Sequence, residues 1–481
     1  MALETLKSRV LSGLFWKFSE RLGVLGIQFL VQIFLARLLF PKDYALVALI
    51  AVMVSVSDVL IWSGFSTALV QQKDVDDRDY SSVFFLGLGG SLGLYLLLFT
   101  AAPLVSEFFA EPLLVAIMRV QALVLILGAL RSIQNAILIR TMQFKKIFHV
   151  SLSGIVASGI VGLGMAWLGY GVWSLVFSQL ANGLVATLVL WVTVGWIPTR
   201  DFSLARLGRL FSFGWKLLVG ALLETVYANL RTLFIGKIFD KEILGNYNRA
   251  DTMASLVVTS LDGTISSVLF PALSSCQDDP GRLKALLRRS AVTGCFLVFP
   301  AMIGLASVAR PLVLLLLTEK WLGCVLFLQM CCLAYALFPL HTANLQAINA
   351  FGRSDVFLKL EIIKKIVGVG ILLCSIPFGV NYVVGSQILV SLVCTVINAW
   401  PNKKLLGYSA LEQWRDVVPS LLLALAMGAI TWSLTLLAWS AWLTLTLQVL
   451  VGILVYVAGA WLFGFECFRY LLRTAREQFG R

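Results

Sequence analysis

The side chains most able to do chemistry in this chain are ionisable groups set inside long apolar runs. Lys17, Arg21, Gln28 and Gln32 fall within about 60° of one another on a helix that turns ~100° per residue, so they form one polar stripe. A second stripe lies in register further along. Trp16 and Lys17 align with Trp215 and Lys216, Gln28 with Tyr227, and Gln32 with Arg231, and Glu224 shares that face. Arg131 cannot escape its charge by losing a proton, so inside a membrane it must face water, an acid or an anionic ligand. Asp58, Glu224 and Asp262 are carboxyls near the middle of apolar runs, where ionisable groups usually face a cavity. His341, followed by Asn344, Gln346 and Asn349, has a side chain that titrates near neutral pH and suits proton coupling. Simpler roles compete with each of these. Lys17 and Arg21 can snorkel from a helix end, serines beside Asp58 and Asp262 can satisfy them locally, and His341 can be a hydrogen-bonded structural residue.

The elements that must hold these residues are membrane helices. The 481 residues are 59% hydrophobic and 13% charged, outside the range of soluble domains. Fourteen apolar runs, from 14–38 to 440–464, approach or exceed the ~20 residues that cross a bilayer as a helix. Their length excludes the short alternating strands of a barrel. The expectation is an all-α polytopic membrane protein with 14 transmembrane helices. The net charge of +13 follows the positive-inside pattern and is not a nucleic-acid signature. Basic residues concentrate in alternate segments, such as Arg140, Lys145 and Lys146, or Arg282, Lys284, Arg288 and Arg289, and again in the tail after 464. This places both termini in the cytoplasm. The eight cysteines lack metal-ligand spacing, so no metal site is expected, and the first apolar run lacks a signal-peptide cleavage site. No phosphate-binding G-x-x-x-x-G-K-[ST] loop occurs, which argues against ATP as the direct energy source. Gly87, Gly89, Gly90 and Gly93 lie inside a span, where close helix packing is the expected use. Pro300 and Pro339 are expected to kink or hinge their helices.

The two halves of the chain repeat one another. Ala101, Pro103, Leu104 and Val105 align with Ala309, Pro311, Leu312 and Val313, Gln121 with Gln329, and Ser178 and Gln179 with Ser386 and Gln387, at one constant offset. Helices 1–6 and 7–12 are therefore expected to be two parallel copies of a six-helix lobe, residues 1–199 and 200–402, with helices 13–14 and a basic cytoplasmic tail in 403–481. Such pairs commonly carry substrate between the lobes by alternating access.

LARLLFPKDYALVALI (35–50), IGKIFDKEILGNYNRADTM (235–253), FPALSS (270–275) and RPLVLLLLTEKW (310–321) resemble the Wzx-type flippases of O-antigen, colanic acid and lipopolysaccharide units. These belong to the multidrug, oligosaccharidyl-lipid and polysaccharide exporter superfamily. The resemblance implies translocation of undecaprenyl-diphosphate-linked oligosaccharide repeat units across the bacterial inner membrane for surface polysaccharide biosynthesis. It implies a transporter, not an enzyme, and the predicted outer loops are too short to hold a catalytic domain. Lys17, Arg21, Arg131, Lys216 and Arg231 are then the candidates for diphosphate or acidic-sugar contact, with Gln28, Gln32 and Tyr227 as polar cavity wall. Asp58, Glu224, Asp262 and His341 are the candidates for ion or proton coupling. No cofactor is expected, and coupling to a proton or sodium gradient is left open. The expected partners are the lipid-linked oligosaccharide and membrane lipids, with a polysaccharide polymerase or assembly machinery as an open further partner and no nucleic acid. The competing reading is a cation-coupled multidrug or small-solute exporter on the same fold.

Overall fold

A computed structural model describes residues 23–62, 76–199, 203–274, 276, 279–437, 439–469 and 473. Among them every regular element is a helix, as an apolar environment requires: a helix satisfies its own backbone groups where no water can. Eleven helices are long and apolar enough to cross a membrane, and Gly23–Leu38 is a shorter apolar one. Contacts divide the chain into two compact units, residues 1–245 and 246–481.

The first unit holds α1 (Gly23–Leu38), α2 (Pro41–Trp62), α3 (Asp77–Phe109), α4 (Leu113–Gln121), α5 (Leu123–Arg140), α6 (Phe144–Trp167), α7 (Val172–Val194) and α8 (Leu204–Ile238). Local chemistry sets the breaks. Pro41 opens α2, where its missing N–H costs nothing, and the Asp43 carboxylate accepts from the Phe40 amide at 3.0 Å. A capping box starts α3: Asp76 accepts from the Asp79 amide, and Asp79 accepts in return from the Asp76 amide. That helix ends at Ala110, which is left-handed with φ 52°. One predicted apolar run is split at Ala122 into α4 and α5.

The tightest pair in this unit is α6 against α7. Gly154, Ser158 and Gly162 recur every four residues on one face of α6, the small-residue spacing that lets membrane helices approach. A Cβ on Gly154 would stand 2.6 Å from the Asn182 side chain, and one on Gly162 would meet Ser178 at 3.0 Å. Between them the Ser158 and Ser178 hydroxyls hydrogen-bond at 2.7 Å. By contrast, Gly89, Gly90 and Gly93 of α3 have nothing near the position of a Cβ. The close packing expected there is not formed at these three, whereas Gly87 of the same helix is buried.

The polar connection after α7 is fixed to the start of α3. Ser81 accepts from the Thr199 amide at 2.9 Å and Ser82 from the Ser203 amide at 3.1 Å. Beyond it, α8 packs along α2 and α3. The division by packing thus falls at Gly245, within α9 (Lys241–Ser274), whereas the division by sequence symmetry falls near 199. Gly245 itself sits so close to the backbone of Pro41 that a Cβ would collide with it.

The second unit takes most of α9 and then α10 (Pro280–Ser307), α11 (Ala309–Leu316), α12 (Cys324–Tyr335), α13 (Phe338–Ala350), α14 (Ser354–Ser375), α15 (Val380–Leu406), α16 (Ala410–Ser433) and α17 (Ala441–Leu462). Pro300 is carried inside α10, while Pro339 stands in the first turn of α13 after a break at Ala336 and Leu337. Buried polar side chains join α13, α15 and α16. The Asn344 and Gln413 amides exchange hydrogen bonds of 2.8 and 2.9 Å, and Asn402 donates to Asn344 at 2.6 Å. Further along, Thr431 of α16 donates to Ser307 of α10, and Gln448 of α17 donates to the Thr431 carbonyl. Helices beyond the repeat are therefore bonded into this unit.

Candidate functional site

In the first unit the intramembrane acid and base are on facing helices. Asp58 of α2 points at α5, its Oδ1 3.7 Å from where a Cβ on Gly128 would lie. Arg131 follows Gly128 by one turn and stands within electrostatic reach of Asp58. The serine next to Asp58 does not serve it, because Ser57 donates to the Met53 carbonyl at 2.9 Å. Both charged residues are half-buried. Opposite charges this near lower the cost of each other inside the membrane without a direct ion pair.

The second unit also carries a mid-span acid, with a different partner. Thr342 of α13 donates to Asp262 Oδ2 at 2.7 Å, and Asp262 is 8% exposed. Its Oδ1 has no hydrogen-bond partner among the described residues. The nearby Ser260 bonds the Leu256 carbonyl instead. His341, adjacent to Thr342, turns to α15: Nε2 is 3.1 Å from Ser391 Oγ, and Nδ1 is 3.1 Å from the Asn398 amide nitrogen. The neutral ring satisfies both, accepting at Nδ1 and donating at Nε2. On α14, Lys364 pairs with Glu361 at 2.6 Å in an i, i+3 step.

The stripes are described only in part. Lys17 and Arg21 lie outside the described residues, as does the side chain of Lys216. On α1, Gln28 is exposed and Gln32 half-buried. On α8, Glu224 is exposed, and Tyr227 and Arg231 are half-buried.

Two clusters carry polar chemistry that the sequence reading did not single out. In the second unit, Tyr335 donates to Asp251 at 2.7 Å, Cys331 lies 3.6 Å from Gln387 Oε1, and Gln387 donates to the Tyr247 hydroxyl at 3.0 Å. A signal was available, since Tyr247 and Asp251 share a helix face four residues apart and Gln387 is the repeat partner of Gln179. In the first unit that partner is used differently, with Gln121 donating to Gln179 at 3.1 Å. The other cluster rims the first unit where α3 turns into α4 and α8 turns into α9. Lys42 faces Glu111 at 3.8 Å, Lys237 sits over the Phe108 ring, and Lys241 donates to the Gly236 carbonyl at 2.6 Å. Burial pushes the Lys241 ammonium below its ordinary pKa, with Glu111 opposing the shift and Lys237 adding to it. At the start of α14, the hydrogen bond from Arg353 holds the Asp355 carboxyl down at about 2.

Comparison with known proteins decides the family. Residues 34–326 match the family described as polysaccharide biosynthesis protein. The chain belongs to that family. The chain resembles the lipopolysaccharide biosynthesis protein WzxC of Escherichia coli K12, 23% identical over 89% of each chain. It is likewise 23% identical to the succinoglycan biosynthesis transport protein ExoT of Rhizobium meliloti, over 84% of this chain and 80% of that one. The teichuronic acid biosynthesis protein TuaB of Bacillus subtilis is 23% identical over 83% and 84%. In fold it is similar to the inward closed conformation of the lipid II flippase MurJ, with a TM-score of 0.77 at 15% identity over 96% of this chain and all of that one. An inward-facing multidrug resistance MATE transporter gives a TM-score of 0.61 at 15% identity, over 79% and 95%. The chain is thus an all-α, multi-pass membrane protein with the fold of these transporters.

Proposed function

We propose that the protein is a flippase that moves an undecaprenyl-diphosphate-linked oligosaccharide from the inner to the outer leaflet of the bacterial inner membrane by alternating access. The observation that carries the reading is the combination of a polysaccharide biosynthesis family match with the MurJ-like fold along 96% of the chain. Fold alone does not fix function, and the residues add chemistry. A lipid-linked diphosphate is anionic at its head and apolar at its tail, so its carrier needs cations inside the membrane. Arg131 and Arg231 supply them within the described residues, and Lys17, Arg21 and Lys216 extend the set. Arginine suits this role because its planar fork grips two phosphate oxygens at once.

Energy then enters through the acids. Asp262 presents one oxygen bonded to Thr342 and one without a partner among the described residues, an arrangement that a proton or a sodium ion completes. Asp58, Glu224 and His341 are further coupling candidates, and Asp58 also compensates Arg131. Both termini lie in the cytoplasm on this reading, and the substrate path opens alternately to the two sides of the membrane. A polysaccharide polymerase receives the unit on the far side. The test is complementation in cells lacking the protein. Arg131→Gln and Arg231→Gln at normal protein levels are expected to abolish polymer export, and unchanged export in both would refute the reading.

A further inference from the structure

One face of α9 in the second unit is polar where a membrane helix would ordinarily be apolar. Asn248, Asp251, Thr252, Ser255 and Thr259 fall within about 100° of one another on a helix that turns ~100° per residue, and between 248 and 259 every residue in that sector is polar. Thr259 is exposed and the other four are half-buried. On α17 of the same unit the exposed face carries Leu450, Ile453, Leu454 and Val457, as a face toward lipid must. Of the large apolar side chains described on α9, Leu256 alone is exposed. The helix is 34 residues long, yet it is not among the eleven apolar enough to cross a membrane. Polar side chains within a span face the bundle interior or a water-filled cavity, so this face lines water.

The direction of the hydrogen bonds sets what the face can bind. Thr252 donates to the Asn248 carbonyl at 2.8 Å, Ser255 to the Thr252 carbonyl at 3.2 Å and Thr259 to the Ser255 carbonyl at 2.7 Å. A hydroxyl whose proton is spent on its own helix turns its lone pairs outward. Tyr335 of α12 donates to Asp251 Oδ1 at 2.7 Å, which orients the carboxyl at the edge of the same sector. At 1.5 Å per residue the row from Asn248 to Thr259 extends for about 16 Å. A ligand that fits it is extended and rich in donors. A diphosphate has only acceptor oxygens and negative charge, and the one ionisable group of the row is an acid.

We infer that this face of α9 binds the hydroxyl groups of the sugar chain, apart from the cations that hold the diphosphate, an inference that rests on the flippase reading. Sugar hydroxyls donate to Asp251, Thr252, Ser255 and Thr259, and the Asn248 amide both donates and accepts. A row of similar acceptors selects for hydroxyls and not for one sugar.

The test uses the full-length protein purified in detergent and native mass spectrometry with three lipids. These are undecaprenyl diphosphate carrying a neutral tetrahexose, the same lipid with its sugar hydroxyls O-methylated, and undecaprenyl diphosphate alone. Methylation keeps every sugar oxygen and removes every donor. The tetrahexose lipid is expected to bind about tenfold more tightly than either of the others, the worth of one or two hydrogen bonds. That advantage is expected to be lost in the double variant Thr252→Val, Ser255→Ala, and to persist in Arg131→Gln while all three lipids bind more weakly. Equal binding of the tetrahexose and methylated lipids by the parent would overturn the proposal whether or not the double variant folds. So would an undiminished advantage in the double variant. A parent that binds all three lipids equally would overturn this inference alone, and a parent that binds none of them would overturn the flippase reading with it.

Discussion

Asp58 faces Arg131 across α2 and α5, where Gly128 leaves room for the carboxylate to approach. In the second unit Asp262, another mid-span acid, accepts from the uncharged Thr342 at 2.7 Å. One unit therefore sets its acid within electrostatic reach of an arginine, and the other holds an acid with one oxygen unpartnered among the described residues.

The pair can be tested by a double-mutant cycle. Asp58→Asn and Arg131→Gln are each expected to destabilise the purified protein by roughly 2 kcal/mol, below the cost of breaking a fully buried pair because both residues are half-buried. The double variant is expected to lose less than the sum of the two. Thermal unfolding in detergent reads the result, and strict additivity would show that the two charges do not interact.

The acid of the second unit predicts a different phenotype. Asp262→Asn keeps the shape and the contact with Thr342 but removes the ionisable carboxyl. It is expected to leave the unfolding temperature close to that of the parent and to abolish the dependence of export on the ion gradient. Export that collapses normally when the gradient is dissipated would remove Asp262 from the coupling role.

Much of this arrangement could be anticipated, and the reason for the rest is physical. Apolar length marks a membrane helix wherever it occurs, so the spans were visible in composition alone. The partners were not. The ring of His341 is held by Ser391 and Asn398, and Asp262 by Thr342, across helices far apart in sequence, and nothing in an apolar pattern encodes which faces meet. Local reasoning also misdirects at Ser57. A serine beside an acid has a nearer acceptor in its own helix, the carbonyl four residues back, and it takes that one. The breaks at Ala122 and Ala336 were hidden because neither residue interrupts the apolar run, although Pro339 stood close to the second.

Two glycines of opposite surroundings give a control pair for the fold. Gly245→Val is expected to prevent stable accumulation, since its side chain would run into the Pro41 backbone. Gly90→Ala is expected to be neutral or slightly stabilising, because nothing lies near its Cβ and alanine favours a helix by about 1 kcal/mol. Membrane yield and thermal stability read both.

The amide cluster predicts how firmly α16 is held. Asn344→Ala leaves Gln413 and Asn402, 1% and 0% exposed, without their shared partner, a loss of roughly 1–3 kcal/mol for each buried group stranded. Thermal unfolding of the purified variant is expected to fall by several degrees. Retention of the parent midpoint would mean that the amides find other partners.

The most direct test of the account is transport by the purified protein. Vesicles are loaded with undecaprenyl-diphosphate-linked oligosaccharide in one leaflet, an ion gradient is imposed, and the appearance of sugar in the other leaflet is followed with a membrane-impermeant lectin. The parent protein is expected to expose the sugar faster than protein-free vesicles, and Arg131→Gln and Arg231→Gln are expected to reduce that rate to background. Sugar that stays in its original leaflet with the parent protein, while the same vesicles extrude a cationic dye, would contradict the flippase reading and favour a drug exporter on this fold.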